Sequence, residues 1–287
     1  MLVVVREQDI RNAVRQLDLS GLPVCLHTSL SSFGHIEGGA EAVVGGFLAE
    51  GCTVLVPTFS DGFAIPPPPH IRPERNGWNY EDHPGPLEGI GRIFSPQAND
   101  ITREEMGAVP ACVLAHPRRV RGHHALCSFT AVGPKAEQII SCQTSTDVFA
   151  PLRALADADG SIVLMGVGLE KMTLIHAAEE LAGRRLFIRW ANGPDGTPTG
   201  VRAGGCSAGF GRLEPTVSPF AKKHQVGQSV WQAYPASETL RAAAQKIQRD
   251  PEITHCSNQS CQRCPDALLG GPIWPVRSAN NCVERTL

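Results

Sequence analysis

The sequence holds no apolar run longer than a strand, no marked excess of either charge, no internal repeat and no low-complexity tract. Each absence excludes something. A helix that spans a bilayer needs about 20 consecutive apolar residues. The opening run, Leu2 to Val5, is cut short by Arg6, so the N-terminus reads as neither a signal peptide nor a membrane span. A soluble, cytoplasmic protein with no membrane partner is expected. The net charge of −2 leaves no basic surface for non-specific nucleic-acid binding, and no nucleic-acid partner is expected. A local acidic pocket needs no large net charge, so a cationic small substrate stays open. The ten cysteines do not outline a disulfide framework. Six are scattered singly through the first 206 residues, and Cys25, Cys52 and Cys112 sit inside apolar runs, as reduced buried thiols do.

What is present is an ordinary globular composition, 42% hydrophobic and 19% charged over 287 residues, ample for a substantial core. The N-terminal part alternates in βα fashion. An amphipathic helix over 7–18 precedes a strand over 22–30; a helix over 37–51 precedes a nearly all-apolar strand over 53–60. Strand, helix and strand with short connections imply a parallel pair. Residues 61–107 change character, with four consecutive prolines at 66–69, and such a long irregular stretch is often functional. Helices follow near 103–115 and 134–141, then a strand over 161–168 and a helix carrying His176. A hairpin over 185–202 turns at the sequence NGPDG, and a helix over 236–249 leads into a Cys-rich segment at about 250–287. The pattern predicts one α/β domain over 1–287: a central mixed, mostly parallel sheet with an antiparallel edge, flanked by helices in three layers.

In open α/β sheets ligands lie at the carboxyl ends of strands. Three such ends carry polar groups: 27-HTSLSSFG-34, 56-VPTFS-60 and 163-VLMGVG-168, the last followed by Thr173 and His176. The first suits an anion such as a cofactor phosphate, through turn amides and serine hydroxyls. It lacks the glycine spacing of a dinucleotide or P-loop fingerprint and reads equally as a serine-rich helix cap. If Thr173 is the helix N-cap, His176 falls at the third helical position, where the positive helix end favours the neutral imidazole that a general base needs. Glu179 and Glu180 follow at helical spacing, near the same face. A core histidine bonded to a helical glutamate fits this spacing as well. The run 118-RRVRGHHALCSFTAVG-133 reads as a solvated face or a phosphate contact. Cys256, Cys261 and Cys264, spaced C-x4-C-x2-C, suit a structural zinc with Cys206 or Cys282 as the fourth ligand, or simply three packed thiols.

Taken together and in order, HTSLSSFG, VPTFS, EEMGAVP, HHALCSFTAVGPKA, PL before GVG and TLIH-x-x-E, and GGCSAGFGRLEP resemble the aminoglycoside 3-N-acetyltransferase family over about residues 7–272. The resemblance implies acetyl-CoA as donor and the 3-amino group of a 2-deoxystreptamine ring as acceptor, hence antibiotic resistance. It implies His176 as the catalytic base, Glu179 as the H-x-x-E carboxylate, and His27 at the head of the first strand-end motif. Glu214 is the match for a more C-terminal carboxylate that partners the histidine in some members. The coenzyme site would take Ser29, Leu30, Ser31 and Ser32, then Thr58, Phe59 and Ser60, then His124 and Ser128. Ala125 stands where many members have proline, and Cys127 where some have histidine. Charge logic adds Asp61, Tyr80, Glu81 and Asp82, with Thr173 at the rim, as contacts for a cationic aminoglycoside or related amine. A homodimer is the oligomer that stays open. Three rival readings remain at this level: a Cys127 or Cys206 nucleophile, a zinc-ribbon interaction module, and a relative that acetylates another amine.

Overall fold

The computed structural model describes residues 4–80 and 84–274. The chain enters through a short strand, β1 (Val4–Val5), and the helix α1 (Glu7–Gln16). It continues as β2 (Pro23–Thr28), pairs back on β1 through β3 (His35–Ile36), and passes through α2 (Gly39–Ala49) to β4 (Thr53–Pro57). Then come β5 (Ala64–Ile65), α3 (Arg103–Met106), α4 (Ala108–Ala115), β6 (Val120–Arg121) and β7 (Phe129–Val132). Next are α5 (Ala136–Ile140), α6 (Ala150–Asp157), β8 (Ser161–Met165), α7 (Leu174–Leu181), β9 (Phe187–Asn192) and β10 (Pro198–Ala203). The described chain closes with α8 (Glu214–Val217), β11 (Lys222–Val226), β12 (Ser229–Pro235), α9 (Ala236–Arg249) and α10 (Arg263–Leu268).

Seven strands form the central sheet in the order β11-β12-β8-β2-β4-β7-β6. The mixed, helix-flanked sheet read from the sequence is there. Its parallel part is confined to β8, β2 and β4, and both flanks run antiparallel rather than one. The three central strands are buried on both faces, which is why they read as unbroken apolar runs. Alternate residues serve opposite layers. Cys25, Leu55, Ile162 and Leu164 pack with α5, α6, α7 and α9; Val24, Leu26, Val54, Val56, Val163 and Met165 pack with α1, α2 and α4.

Two expectations change. The single helix near 103–115 is two, because Gly107 takes φ +86° between them. The irregular stretch 61–107 is partly ordered. Its β5 joins the predicted hairpin of β9 and β10 to make a second sheet, and Asn76 bonds the backbone of Ile188 through both amide atoms. This second sheet stands over the carboxyl ends of β2, β4 and β8 and walls a cleft there. Among the described residues, no helix is long and apolar enough to cross a membrane.

Candidate active site

Two adjoining clefts lie where the three parallel strands end. The larger, about 950 Å³, is lined by His27, Phe59, Asp61, Tyr80, Thr173 and His176, among others. The second, about 790 Å³, is lined by Ser29, Leu30, Ser32, the turn Gly166–Gly168 and the start of β12. Thr28, Glu105, Glu170 and Lys171 border both. The turn after β8 must be glycine. Gly166 sits at φ +68°, and a Cβ there would lie 2.0 Å from Ser32 Oγ. That hydroxyl links the two sides of the second cleft, bonding the Ser29 carbonyl at 2.7 Å and Ser229 Oγ at 2.9 Å.

His176 is held on every side but the one that faces the larger cleft. Thr173 occupies the N-cap position of α7 without a side-chain cap, and His176 is the third helical residue, as the spacing predicts. Glu179, one turn on, accepts at 2.8 Å from Nδ1. The ring stacks on Phe149 (centroids 5.7 Å) and meets the edge of Phe210 (4.8 Å). Gly204 closes the remaining side; a Cβ on it would come within 2.9 Å of the imidazole. With Nδ1 committed, Nε2 is the nitrogen left for the cleft. Glu179 is itself buried and multiply held: Arg184 and Thr254 both donate to Oε1, and Arg184 also reaches the Pro251 carbonyl. Burial alone would raise the Glu179 pKa. The hydrogen bond from His176 and the neighbouring Arg184 and Thr254 outweigh it, and the carboxyl is held below its ordinary range.

The other expected site residues divide. Ser29, Leu30 and Ser32 line the second cleft, and exposed Ser31 bonds Ser29 Oγ at 3.1 Å. Phe59, Asp61, Tyr80 and Thr173 line the larger one. Glu81 and Asp82 lie outside the described residues, as does Cys282. Thr58, Ser60, Ser128 and His124 are buried, and the side chains of Thr58, Ser128 and His124 bond neighbouring groups of the protein. Thr58 Oγ1 bonds Thr130 Oγ1 at 2.8 Å, and Ser128 Oγ takes a hydrogen bond from Arg121 at 2.9 Å. His124 Nδ1 accepts from the Cys127 amide at 2.8 Å, and Nε2 meets the Arg202 carbonyl at 2.8 Å. In the 118–133 run Arg118 and His123 are exposed, but Arg121 is not part of a solvated face. That guanidinium is buried and spans the carbonyls of Thr58, Ala98 and Asp100. Glu214, at the start of α8, makes no hydrogen bond to the His176 ring; the partner is Glu179. Cys127 borders the larger cleft, but burial pushes its thiol up to about 12, the wrong direction for a nucleophile. Cys206 lies with Cys256, Cys261 and Cys264, all four sulfurs within 4.8 Å of one another.

Residues missed in the sequence are those that brace His176: Phe149, Arg184, Gly204, Phe210 and Thr254. Arg184 stands five residues beyond Glu179, a legible signal; Thr254, 75 residues away, leaves none.

His27 and His124 make a prediction about stability. Burial, with Lys171 adding to it at His27, pushes both down to about 4. Below the unfolded value near 6.5 the unfolded chain takes up protons that the folded chain refuses. Stability is therefore expected to fall as pH drops from about 6.5 towards 4, by up to ~1.4 kcal/mol per pH unit per histidine. Urea unfolding should show a lower midpoint at about pH 5 than at about pH 7.5, and His124→Gln should flatten the difference; equal midpoints would contradict this account.

Comparison with known proteins bears on this geometry. The family model described as aminoglycoside 3-N-acetyltransferase matches residues 25–248. Aminoglycoside N(3)-acetyltransferase VII of Streptomyces paromomycinus is 29% identical over 171 residues, 56% of this chain and 55% of that one, so the match spans little more than half of the relative. The crystal structure of the aminoglycoside acetyltransferase AAC(3)-IVa superposes with a TM-score of 0.73 at 22% identity, covering 94% of this chain and 99% of that one. The binary complex of AAC-IIIb with CoASH superposes at 0.67 and 18% identity, covering 86% of this chain and 97% of that one. At such identities the superpositions speak for the fold.

Proposed function

The chain belongs to the aminoglycoside 3-N-acetyltransferase family, and from that premise we propose that it moves an acetyl group from acetyl-CoA to the 3-amino group of a 2-deoxystreptamine aminoglycoside, conferring resistance to it. The observation that carries the reading is the His176–Glu179 pair, buried on one side and open to a cleft on the other, at the ends of three parallel strands. A relative's name supplies the acceptor class, and a structural neighbour's bound CoASH supports the donor.

The coenzyme would lie along Ser29, Leu30 and Ser32, and the acceptor against Asp61, Tyr80 and Thr173. Acetyl-CoA brings an already activated thioester, so no enzyme nucleophile is needed. An ammonium cannot attack, and Nε2 of His176 takes the proton that frees the nitrogen lone pair. Nitrogen adds to the thioester carbon, the tetrahedral adduct collapses as the carbon–sulfur bond breaks, and the proton that the nitrogen sheds in becoming an amide goes to the departing thiolate, which leaves as the thiol. Glu179 holds Nδ1–H and stabilises the imidazolium while it lasts. Neutral His27, at the rim, offers an uncharged hydrogen-bond donor for the developing oxyanion.

The cleft lining also supports a second acceptor class. Asp61, Glu88, Glu105 and Glu170 suit a polycation, yet Lys171, Arg189 and Arg263 share the wall. Among the described residues Arg189 has no carboxylate partner; its bonds go to the carbonyls of Asn76 and Ile188. An amine metabolite that also carries an anionic group fits those arginines better. Thiol release from acetyl-CoA, measured with a panel of aminoglycosides and of anionic and simple amines, separates the two. Turnover with 2-deoxystreptamine aminoglycosides and 3-N-acetylated product by mass spectrometry are expected. Turnover with none of them, or acetylation only at other amines, would overturn the first reading.

A further inference from the structure

We propose that Cys206, Cys256, Cys261 and Cys264 bind one zinc ion, and that this centre clasps together the two chain segments that support His176 and Glu179. The second clause rests on the reading of His176 as the base; the first does not.

The sulfur geometry is that of a tetrahedral metal site. The four sulfurs lie within 4.8 Å of one another, and the Cys261–Cys264 and Cys256–Cys264 separations are both 3.7 Å. A disulfide would hold two of them at about 2.05 Å and leave the others as bystanders. Four thiolates at the Zn–S length of about 2.3 Å form a tetrahedron with edges of about 3.8 Å. Such an all-thiolate set is closed, with no position for a substrate, so its role is structural. The surroundings suit it. The Cys256 amide points at Cys264 Sγ at 3.4 Å, the kind of N–H···S support that metal-bound thiolates take. Four thiolates on a divalent ion carry a net double negative charge, and Arg184, Arg185 and Arg263 line the small cavity beside Cys206 and Cys264.

The ligands come from two separate stretches, and each stretch braces the base. Cys206 belongs to the segment after β10. Two residues before it, Gly204 lies against the imidazole, and four residues after it, Phe210 meets the ring edge. Cys256 belongs to the segment after α9. Two residues before it, Thr254 donates to Glu179 at 2.9 Å. The segments touch at Gly209, where a Cβ would fall 2.2 Å from the His255 carbonyl oxygen. A metal that ties Cys206 to the C-terminal trio holds both braces in register.

The test uses the full chain as purified. Elemental analysis should find about one zinc per chain, released as four thiols are titrated with an organomercurial. Cobalt exchanged into the protein should show the intense charge-transfer and visible bands of tetrahedral thiolate coordination. Four freely reactive thiols with no metal, a disulfide among them, or iron in place of zinc would overturn the assignment. For the clasp, Cys206→Ser removes a ligand and should lower zinc affinity by at least the ~10–100-fold that loss of a supporting outer-shell group costs. It should lower kcat by roughly tenfold or more through misplacement of the ring, with KM for acetyl-CoA little changed because the second cleft is remote from the cluster. A Cys206→Ser protein that loses zinc yet keeps full kcat would refute the clasp. Inactivity of the native protein towards every amine would sink the acetyltransferase reading and leave the zinc stoichiometry standing.

Discussion

His176→Ala is expected to lower kcat/KM for the amine by ~10²–10⁴-fold, the range that a positioned general base contributes. The loss should fall on the chemical step. Coenzyme affinity should survive, because the second cleft is built from the turns after β2 and β8 and the start of β12, none of which holds the imidazole. Two further signs would mark the loss as that of a base. The residual rate of the variant should climb with pH as the amine deprotonates in solution. Added imidazole should also restore part of the rate, by entering the space between Phe149 and Phe210 that the ring has vacated. Thiol-release kinetics across pH, with calorimetric titration of CoA, check all three; near-normal turnover by the variant would remove His176 from the mechanism.

Glu179→Ala is expected to have the second-largest effect, on stability and catalysis together. The carboxylate is buried between an imidazole and a guanidinium, so deleting it leaves Arg184 without its counter-charge. Breaking one side of a buried pair costs about 3–5 kcal/mol. The sign with pH follows from the depressed Glu179 pKa. A depressed carboxylate stabilises the fold above its unfolded value of about 4.3 and loses that contribution as pH falls through the lower folded value. The gap in stability between native and variant should therefore be widest near neutrality and shrink in acid. Denaturant midpoints at several pH values measure it, and a gap that widens in acid would refute the assignment. The kcat should fall too, since the ring loses the partner that fixes its tautomer.

Much of this site was legible in local sequence, for a physical reason. Helical spacing carries His176 to Glu179 within one turn, and strands buried on both faces betray themselves as apolar runs that end in polar turns. What stayed hidden is what depends on distance along the chain. The β11–β12 hairpin was not predicted because KKHQV is polar on most positions and its partner alternates only loosely. β7 spans four residues, too few for a period, and α6 opens with a proline that reads as a break although it sits in the first turn, where no N–H is needed. The family resemblance assigns the hydroxyls of Thr58 and Ser128 and the ring of His124 to the coenzyme site. Their burial could not be read locally, because it is set by Arg121 and the second sheet, which no short window contains. Glu214 and Glu179 could not be separated without the fold, since each is a carboxylate downstream of the histidine.

The slot around His176 has a consequence for how the base is reset. Phe149, Phe210 and Gly204 leave the imidazole no room to swing, and Glu179 occupies its inner nitrogen. If His176 acts as the proposed base, a proton taken up at the outer nitrogen would depart most directly by the opening through which it came. On the proposed mechanism that opening is also where the acetylated amine would sit, so deprotonation of the imidazolium and departure of the product would share one doorway, and each turnover would end by clearing both.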